Sequence, residues 1–322
     1  MIGFLRNNQI PRGANAPATP ARCLTCGGNN TQLRYARLHY RKKPDERAWD
    51  MHGCAECGLL FVWPLPSDAD IASVYADTDY RADDLVDHTN MPCELEHFVL
   101  GMFDEYDIRP PGRLLDVGCG AGHFLRLAQA RGWTPLGQEI ALHSVEFARQ
   151  TYGIEIITDP VCVMVDRLEP QSVDVLSLIG VIEHVPYPVE FLRSLRRLIK
   201  PAGALFIVTD NVASWMHFVL RRDFPFIMPP EHLQLFTPAS SDALLMNAGF
   251  TRVGLRTKET ILPEAAARGF TLLIGGERNV PPGTLPAARL ATKLALPLQR
   301  WLWSMRLGAQ LYVLARPSAE PL

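Results

Sequence analysis

The chain has 322 residues, 48% of them hydrophobic, with 32 Lys and Arg against 34 Asp and Glu and a formal net charge of −2. That length is ample for a large core plus an appendage, and the slightly acidic balance argues against a chain devoted to nucleic acid. No uninterrupted apolar run reaches the roughly 20 residues that a membrane span needs, so no membrane-spanning segment is expected.

Residues 1–22 are rich in Pro, Ala, Asn and Arg without periodicity and are expected to form a disordered tail. They lack the apolar stretch of a secretory signal. Cys23-x-x-Cys26 and Cys54-x-x-Cys57 follow, two pairs separated by 27 residues, each succeeded at once by a glycine, Gly27 and Gly58. Four thiolates at that spacing fit a tetrahedral structural zinc. Between the pairs, Leu33, Tyr35, Leu38 and Tyr40 alternate within Gln32 to Met51, which predicts a β-hairpin. Residues 23–66 are therefore expected to form a zinc ribbon. A thioredoxin-type redox role fits poorly, because neither pair sits in a βαβ pattern. Reduced, metal-type cysteine usage points to a cytoplasmic location. Cys93, Cys119 and Cys162 have no partner motif and read as small buried hydrophobes. Residues 67–110 read as a helical lid or linker, with Tyr75, Tyr80 and His88 as substrate-pocket candidates.

The most informative segment is Leu114-Leu115-Asp116-Val117-Gly118-Cys119-Gly120-Ala121-Gly122-His123-Phe124, a short strand, a glycine turn and the start of a helix. Such a turn brings main chain close to a nucleotide-like ligand. The pyrophosphate of a dinucleotide would sit on the turn and the helix N-terminus, where Asp116 would repel it. S-adenosylmethionine (SAM) carries a sulfonium and an ammonium instead, and Asp116 suits it. The G-x-G-x-G spacing also departs from the dinucleotide pattern, whose third glycine comes one place later. A second strand, Thr134 to Ile140, carries Glu139 twenty-one residues after Gly118. A carboxylate there can accept hydrogen bonds from ribose hydroxyls.

The run from Val173 is nearly continuously apolar, as a strand buried on both faces of a parallel sheet requires. It ends in Glu183-His184 and two prolines, Pro186 and Pro188, so polar side chains are expected at the strand's carboxyl end, where open α/β sheets bind ligands. Val189 to Gly203 follows with Phe191, Leu192, Leu195, Leu198 and Ile199 at helical spacing, stopped by Pro201-Ala202-Gly203, and a strand over Ala204 to Thr209 comes next. Arg193, Arg196, Arg197 and Lys200 read as that helix's solvated face. Pro230-Glu231-His232-Leu233 then precedes Thr237-Pro238, an N-cap and first-turn pair, and a helix stopped by Gly249. Residues 259–306 read as a helical insertion. Leu290, Leu294, Trp301 and Trp303 beside Arg289, Lys293, Arg300 and Arg306 suggest a lid or a homodimer-packing helix ahead of a membrane-surface one, because Pro297 interrupts it. A last strand spans Ala309 to Ala315.

Taken together, these segments resemble class I SAM-dependent methyltransferases, in which "EH" closes the fourth strand and "P-EHL-FT" precedes a late helix; the resemblance covers roughly residues 111–258. It implies an α/β, Rossmann-like fold: a seven-stranded, mostly parallel sheet with helices on both faces and an antiparallel last strand. The expected SAM contacts are Asp116, Gly118, Cys119, Gly120, Gly122, Glu139, Ile140, Val161, Gly180 and Glu183. No acid stands where the family often binds the adenine amine; Asp159 comes early, which leaves backbone and apolar contact from Val161 and Cys162 as the candidates and no side chain assigned to the adenine amine. The stretch Cys57 to Tyr80 is similar to the N-terminal part of bacterial zinc-ribbon methyltransferases acting on small metabolites, deoxysugar C-methyltransferases among them. Those sugar enzymes usually carry a further C-terminal domain that this chain is too short to hold.

Two other readings stand beside a small-molecule enzyme. Residues 1–44 hold no acid and eight Lys or Arg, so the ribbon could read RNA. Against that, a Zn(Cys)₄ centre carries a formal charge of about −2 that nearby bases offset, and the Asn/Asp-Pro-Pro-aromatic motif of nucleic-acid amine methyltransferases is replaced by Glu183-His184-Val185-Pro186. A SAM-binding module without catalysis is the other; the intact glycine turn and two strand-end histidines argue against such decay. For methyl transfer a base near neutrality is needed. His232 is the first choice with Glu231 as its orienter, and His184 the second.

Overall fold

The computed structural model describes residues 22–40, 47–75, 94–258 and 301–319. Tyr80, His88, Cys93, almost all of the expected tail and residues 259–300 of the expected insertion lie outside the described residues.

The expected hairpin is present. Strand β1 (Thr31–Leu38) pairs antiparallel with β2 (Trp49–Cys54), Thr31 opposite Cys54 and Leu38 opposite Trp49. Its alternation is broken: Leu33 is 51% exposed while Leu38 and Tyr40 are buried. Register shifts on either side of Tyr35 account for this, since a one-residue slip moves a side chain to the opposite face. A third strand, β3 (Leu60–Val62), lies against β2. Two helices follow, α1 (Asp68–Tyr75) and α2 (Glu94–Glu105).

The main body alternates strand and helix: β4 (Arg113–Val117), α3 (His123–Ala130), β5 (Thr134–Gln138), α4 (Leu142–Tyr152), β6 (Ile156–Ile157), α5 (Val161–Arg167) and β7 (Val173–Ile179). It continues with α6 (Pro188–Arg196), β8 (Ile199–Asp210), α7 (Trp215–Leu220), β9 (Gln234–Leu235), α8 (Pro238–Asn247), β10 (Phe250–Lys258) and β11 (Gln310–Pro317). Seven of the strands form one sheet in the order β10-β11-β8-β7-β4-β5-β6. Strands β4 to β8 are mutually parallel, and β11 runs antiparallel to both β8 and β10. This is the expected Rossmann-like sheet with its antiparallel last strand.

Adjacent residues on the central strands enter opposite layers. Leu115, Leu176, Leu205 and Ile207 pack with α5, α6 and α8, while Leu114, Val175, Phe206 and Val208 pack with α2, α3 and α4. Burial on both faces explains the continuous apolar run over β7. Each such side chain contributes about 1.5–3 kcal/mol relative to exposure.

One boundary differs from expectation. Helix α6 stops at Arg196 and β8 begins at Ile199, rather than helix running to Gly203. Ile199 falls on the helical spacing but pairs with Val173 in the sheet, so tertiary pairing overrides the local period. The late helix starts as expected: Thr237 Oγ1 accepts from the Ser240 N–H at 3.0 Å, and Ser240 Oγ accepts from the Thr237 N–H at 2.8 Å. Among the described residues no helix is long and apolar enough to cross a membrane.

The small sheet is ordered β1-β2-β3-β9. Its last member belongs to the Glu231–Phe236 segment, and an isolated bridge joins Phe236 to Asn211, just past β8. The cysteine-bearing part is thereby stitched to the carboxyl end of the main sheet, where open α/β sheets bind ligands.

Candidate functional site

At the carboxyl end of β4 the chain turns through Gly118, Gly120 and Gly122, with φ of 70°, 52° and 77°. These left-handed values suit glycine. A Cβ on Gly118 would come within 2.7 Å of Val181 Cγ2, so the turn lies tightly against the end of β7. Asp116 is buried beneath it and accepts from Ser177 Oγ at 2.6 Å. Glu139, after β5, reaches across: Oε2 accepts from the Gly120 N–H at 3.1 Å, and Oε1 accepts from the Ile140 and Ala141 N–H groups at 2.7 and 2.8 Å. A carboxylate offers about four lone-pair directions. Oε2 thus keeps room for one hydroxyl, and a second would displace an amide from Oε1. Gln138, which sequence reasoning passed over, ties the turn together. Its main-chain and side-chain oxygens accept from the Gly118 N–H at 2.8 and 3.3 Å, and its Nε2 donates to Asp159 O at 3.0 Å. The Asp159 carboxylate is turned to Arg167. Val161 is buried at the start of α5, Ile140 is exposed, and burial together with the Asp116 and Glu139 charges pushes the Cys119 thiol well up. The turn, an acceptor at the second strand end and no phosphate-binding cation in the loop fit SAM.

A second, side-chain-built cluster stands beside this turn, over the ends of β7 and β8. Glu183 and His184 occupy a single 3-10 turn, residues Ile182–His184, rather than the strand end itself. Asp210 ends β8, and Glu231 and His232 precede β9; all five side chains are buried. His232 Nδ1 lies 2.8 Å from Asp210 Oδ2, an ion-pair contact not aligned as a hydrogen bond. Burial pulls the His232 imidazolium down, but the contact and charge of Asp210, with those of Glu183 and Glu231, outweigh it and hold the ring at about 9. Burial and the Asp210 charge push Glu183 up to about 7, although Thr209 Oγ1 donates to it at 2.8 Å. Burial also raises Asp210.

Glu231 is not the partner of His232. Its carboxylate accepts from the Tyr40 hydroxyl at 2.6 Å, and its main-chain oxygen accepts from His184 Nδ1 at 2.8 Å. The expected Glu231–His232 pair is therefore replaced by Asp210–His232: the two residues sit on a turn whose N–H groups both donate to Met228 O, and the Glu231 carboxylate is taken up by Tyr40. Tyr75, the pocket candidate among the described residues, lies 3.2 Å from His184 Nδ1 through its hydroxyl. The rings of His184 and His232 meet edge to face, 4.8 Å apart. Glu183, His184 and His232 each bring one ligand atom within 4.8 Å of the others. Each already has a protein partner: Asp210 for His232, Thr209 for Glu183 and Glu231 O for His184.

In the cysteine cluster, Cys23 Sγ is 3.5 Å from Cys57 Sγ, Cys26 Sγ is 3.6 Å from Cys54 Sγ, and all four lie within 4.8 Å of one another. A tetrahedron with metal–sulfur bonds of about 2.3 Å has edges near 3.8 Å, so the four sulfurs fit a zinc ion. Gly27 and Gly58 adopt φ of 74° and 78° and return their N–H groups to Cys23 O and Cys54 O, closing both knuckles.

A family model described as a methyltransferase domain matches residues 87–254. The ubiquinone biosynthesis O-methyltransferase of Neisseria meningitidis serogroup A is 33% identical over 120 residues, covering 35% of this chain and 50% of its own length. That of Chromobacterium violaceum is 27% identical over 175 residues, covering 51% of this chain and 74% of its own. The chain thus spans about half the length of the Neisseria relatives it matches. Among solved structures, a SAM-dependent methyltransferase from Archaeoglobus fulgidus aligns with a TM-score of 0.47 at 19% identity, over 69% of this chain and 94% of that one. The Burkholderia thailandensis 1,6-didemethyltoxoflavin-N1-methyltransferase aligns with a TM-score of 0.48 at 16% identity, over 82% of this chain and 97% of that one.

Proposed function

The chain belongs to the methyltransferase-domain family, the match over residues 87–254 taking in just over half of its 322 residues, and from that premise we propose that it transfers the methyl group of SAM to a hydroxyl of a small molecule. The observation that carries this reading is the buried Asp210–His232 contact beside the glycine turn. The matched relatives named as O-methyltransferases support a hydroxyl acceptor. In this reading residues 23–66 hold a structural zinc through Cys23, Cys26, Cys54 and Cys57, and residues 111–258 with 307–322 form the SAM-binding domain.

When bound, SAM supplies a sulfonium, an already activated leaving group. The turn at Gly118, Cys119, Gly120 and Gly122, with Asp116, Ile140, Val161, Gly180 and Glu183 around it, fixes where that group lies, and Glu139 takes the ribose. Alignment of the acceptor oxygen with the methyl carbon supplies roughly 7–11 kcal/mol at its best. His232 removes the hydroxyl proton. Its Nδ1 faces an acceptor-only carboxylate, so that nitrogen carries the hydrogen and Nε2 is the basic one; Asp210 then steadies the imidazolium that forms. In the free protein this proton leaves only near pH 9. A positive charge brought close favours the neutral ring, so SAM binding moves the working range of the base downward. His184 stays the secondary candidate, with its Nδ1 proton committed to Glu231 O.

The test is incubation with methyl-labelled SAM and a cell extract, counting label separately in small molecules, RNA and protein. Label in the small-molecule fraction, on oxygen, is the expected result. Label in RNA would make the ribbon a nucleic-acid reader and overturn the proposal.

A further inference from the structure

The segment that carries Glu231 and His232 is held from both sides. Leu233 N–H donates to Glu183 O at 2.8 Å, and Leu233 O accepts from the Val62 N–H of β3, also at 2.8 Å. Strand β3 then pairs Leu60 with Leu235 and Phe61 with Gln234. Thr237 Oγ1 donates to Cys57 O at 2.8 Å, and Asn247 Nδ2 donates to Thr25 O at 2.7 Å, so the cysteine knuckles grip both ends of α8. The cysteines Cys23, Cys54 and Cys57 lie in the same apolar cluster as the core of the main sheet. One side chain of this appendage enters the acidic cluster itself. Tyr40, 3% exposed, donates its hydroxyl to the carboxylate of Glu231, itself only 7% exposed.

We propose that Tyr40 is a positioning residue for methyl transfer, its hydroxyl locking the Glu231 carboxylate beside the Asp210–His232 pair while Glu231 holds His184 through its main-chain oxygen. This rests on the reading of His232 as the base. A buried carboxylate needs a donor or it moves to water. With the Tyr40 bond in place, Glu231 is fixed and lends its charge to His232. The other charged or titratable groups facing His232 are Asp210 from β8 and Glu183 and His184 from the turn after β7. The Tyr40 hydroxyl is bonded to Glu231, so its influence on His232 runs through that carboxylate. The ribbon is then part of the reaction site rather than a tether beside it.

The experiment is a histidine-selective NMR titration of the full-length, zinc-loaded protein, comparing wild type, Tyr40→Phe, Glu231→Gln and the double variant. Glu231→Gln is expected to lower the His232 midpoint by on the order of one pH unit. Tyr40→Phe is expected to lower it in the same direction by less, because the released carboxylate swings away. The double variant is expected to match Glu231→Gln alone, the signature of one path of action. The phenyl ring keeps the buried volume of Tyr40; should Tyr40→Phe still fail to fold, Tyr40→Trp and Glu231→Gln are compared instead. A midpoint unmoved by the Tyr40 change, or shifts that add in the double variant, overturns the proposal. Full methyl transfer by His232→Asn would overturn it through its premise, with the titration coupling intact, so the two failures are told apart.

Discussion

The two halves of the site are built from different materials. Around β4 and β5 the ligand cradle is mostly main chain: three glycines at positive φ and amide groups gathered on Glu139. Around β7, β8 and β9 it is side chain: six buried titratable groups drawn from four separate stretches, Tyr40 included. The difference teaches where change is tolerated. A main-chain cradle holds one invariant ligand and depends on glycine geometry. A side-chain cluster can be retuned for different acceptors, and it depends on supports far away in sequence.

That contrast predicts separable losses. The largest effect is expected from Cys54→Ser. If the four cysteines hold zinc as proposed, removing one thiolate should release the metal, and with structural zinc worth roughly 10–16 kcal/mol in small zinc domains, the ribbon and the β3–β9 pairing should fail together. Zinc content and a thermal melt check this; full stability without metal would mean the knuckles merely pack. Next comes Asp210→Asn. An amide can donate to Nδ1 and leave the hydrogen on Nε2, so kcat should fall by about 10²- to 10⁴-fold with SAM affinity kept. Activity by a base requires its neutral form, so the rate rises with pH through the His232 titration; losing the Asp210 charge should move what remains of that limb to lower pH. A limb that stays in place would remove Asp210 from the account.

Gly118→Ala should do the reverse. Strain at φ 70° and the approach to Val181 cost on the order of 1–3 kcal/mol, so SAM should bind at least about tenfold more weakly, as read by calorimetry. Unchanged affinity would mean that SAM does not rest on this turn. The smallest effect is expected for Tyr75→Phe, a change of about 1 kcal/mol or less in kcat, because His184 Nδ1 keeps its bond to Glu231 O. A loss of a hundredfold would put Tyr75 on the acceptor itself.

Much of this was written locally. The run over β7 announced a strand buried on both faces, Thr237-Pro238 announced the start of α8, and the three glycines announced the tight turn after β4. Helix and strand share Ile199 on either period, so only its pairing with Val173 reveals that α6 ends early. The partner of His232 was hidden for a different reason. Asp210 is the residue directly after the strand read over Ala204 to Thr209, and its only signal was an acid at the carboxyl end of a parallel strand next to the one leading to Glu183-His184. Glu231 stood closer in sequence and misled. Tyr40 lies 191 residues from Glu231; a lone tyrosine at the end of a hairpin strand carries no pattern that could have linked them.

The most direct test of the division is to measure SAM affinity and single-turnover methyl transfer side by side in His232→Ala. The account predicts wild-type affinity within about twofold and transfer slowed by about 10²- to 10⁴-fold. Wild-type transfer, or loss of SAM binding along with it, would contradict it.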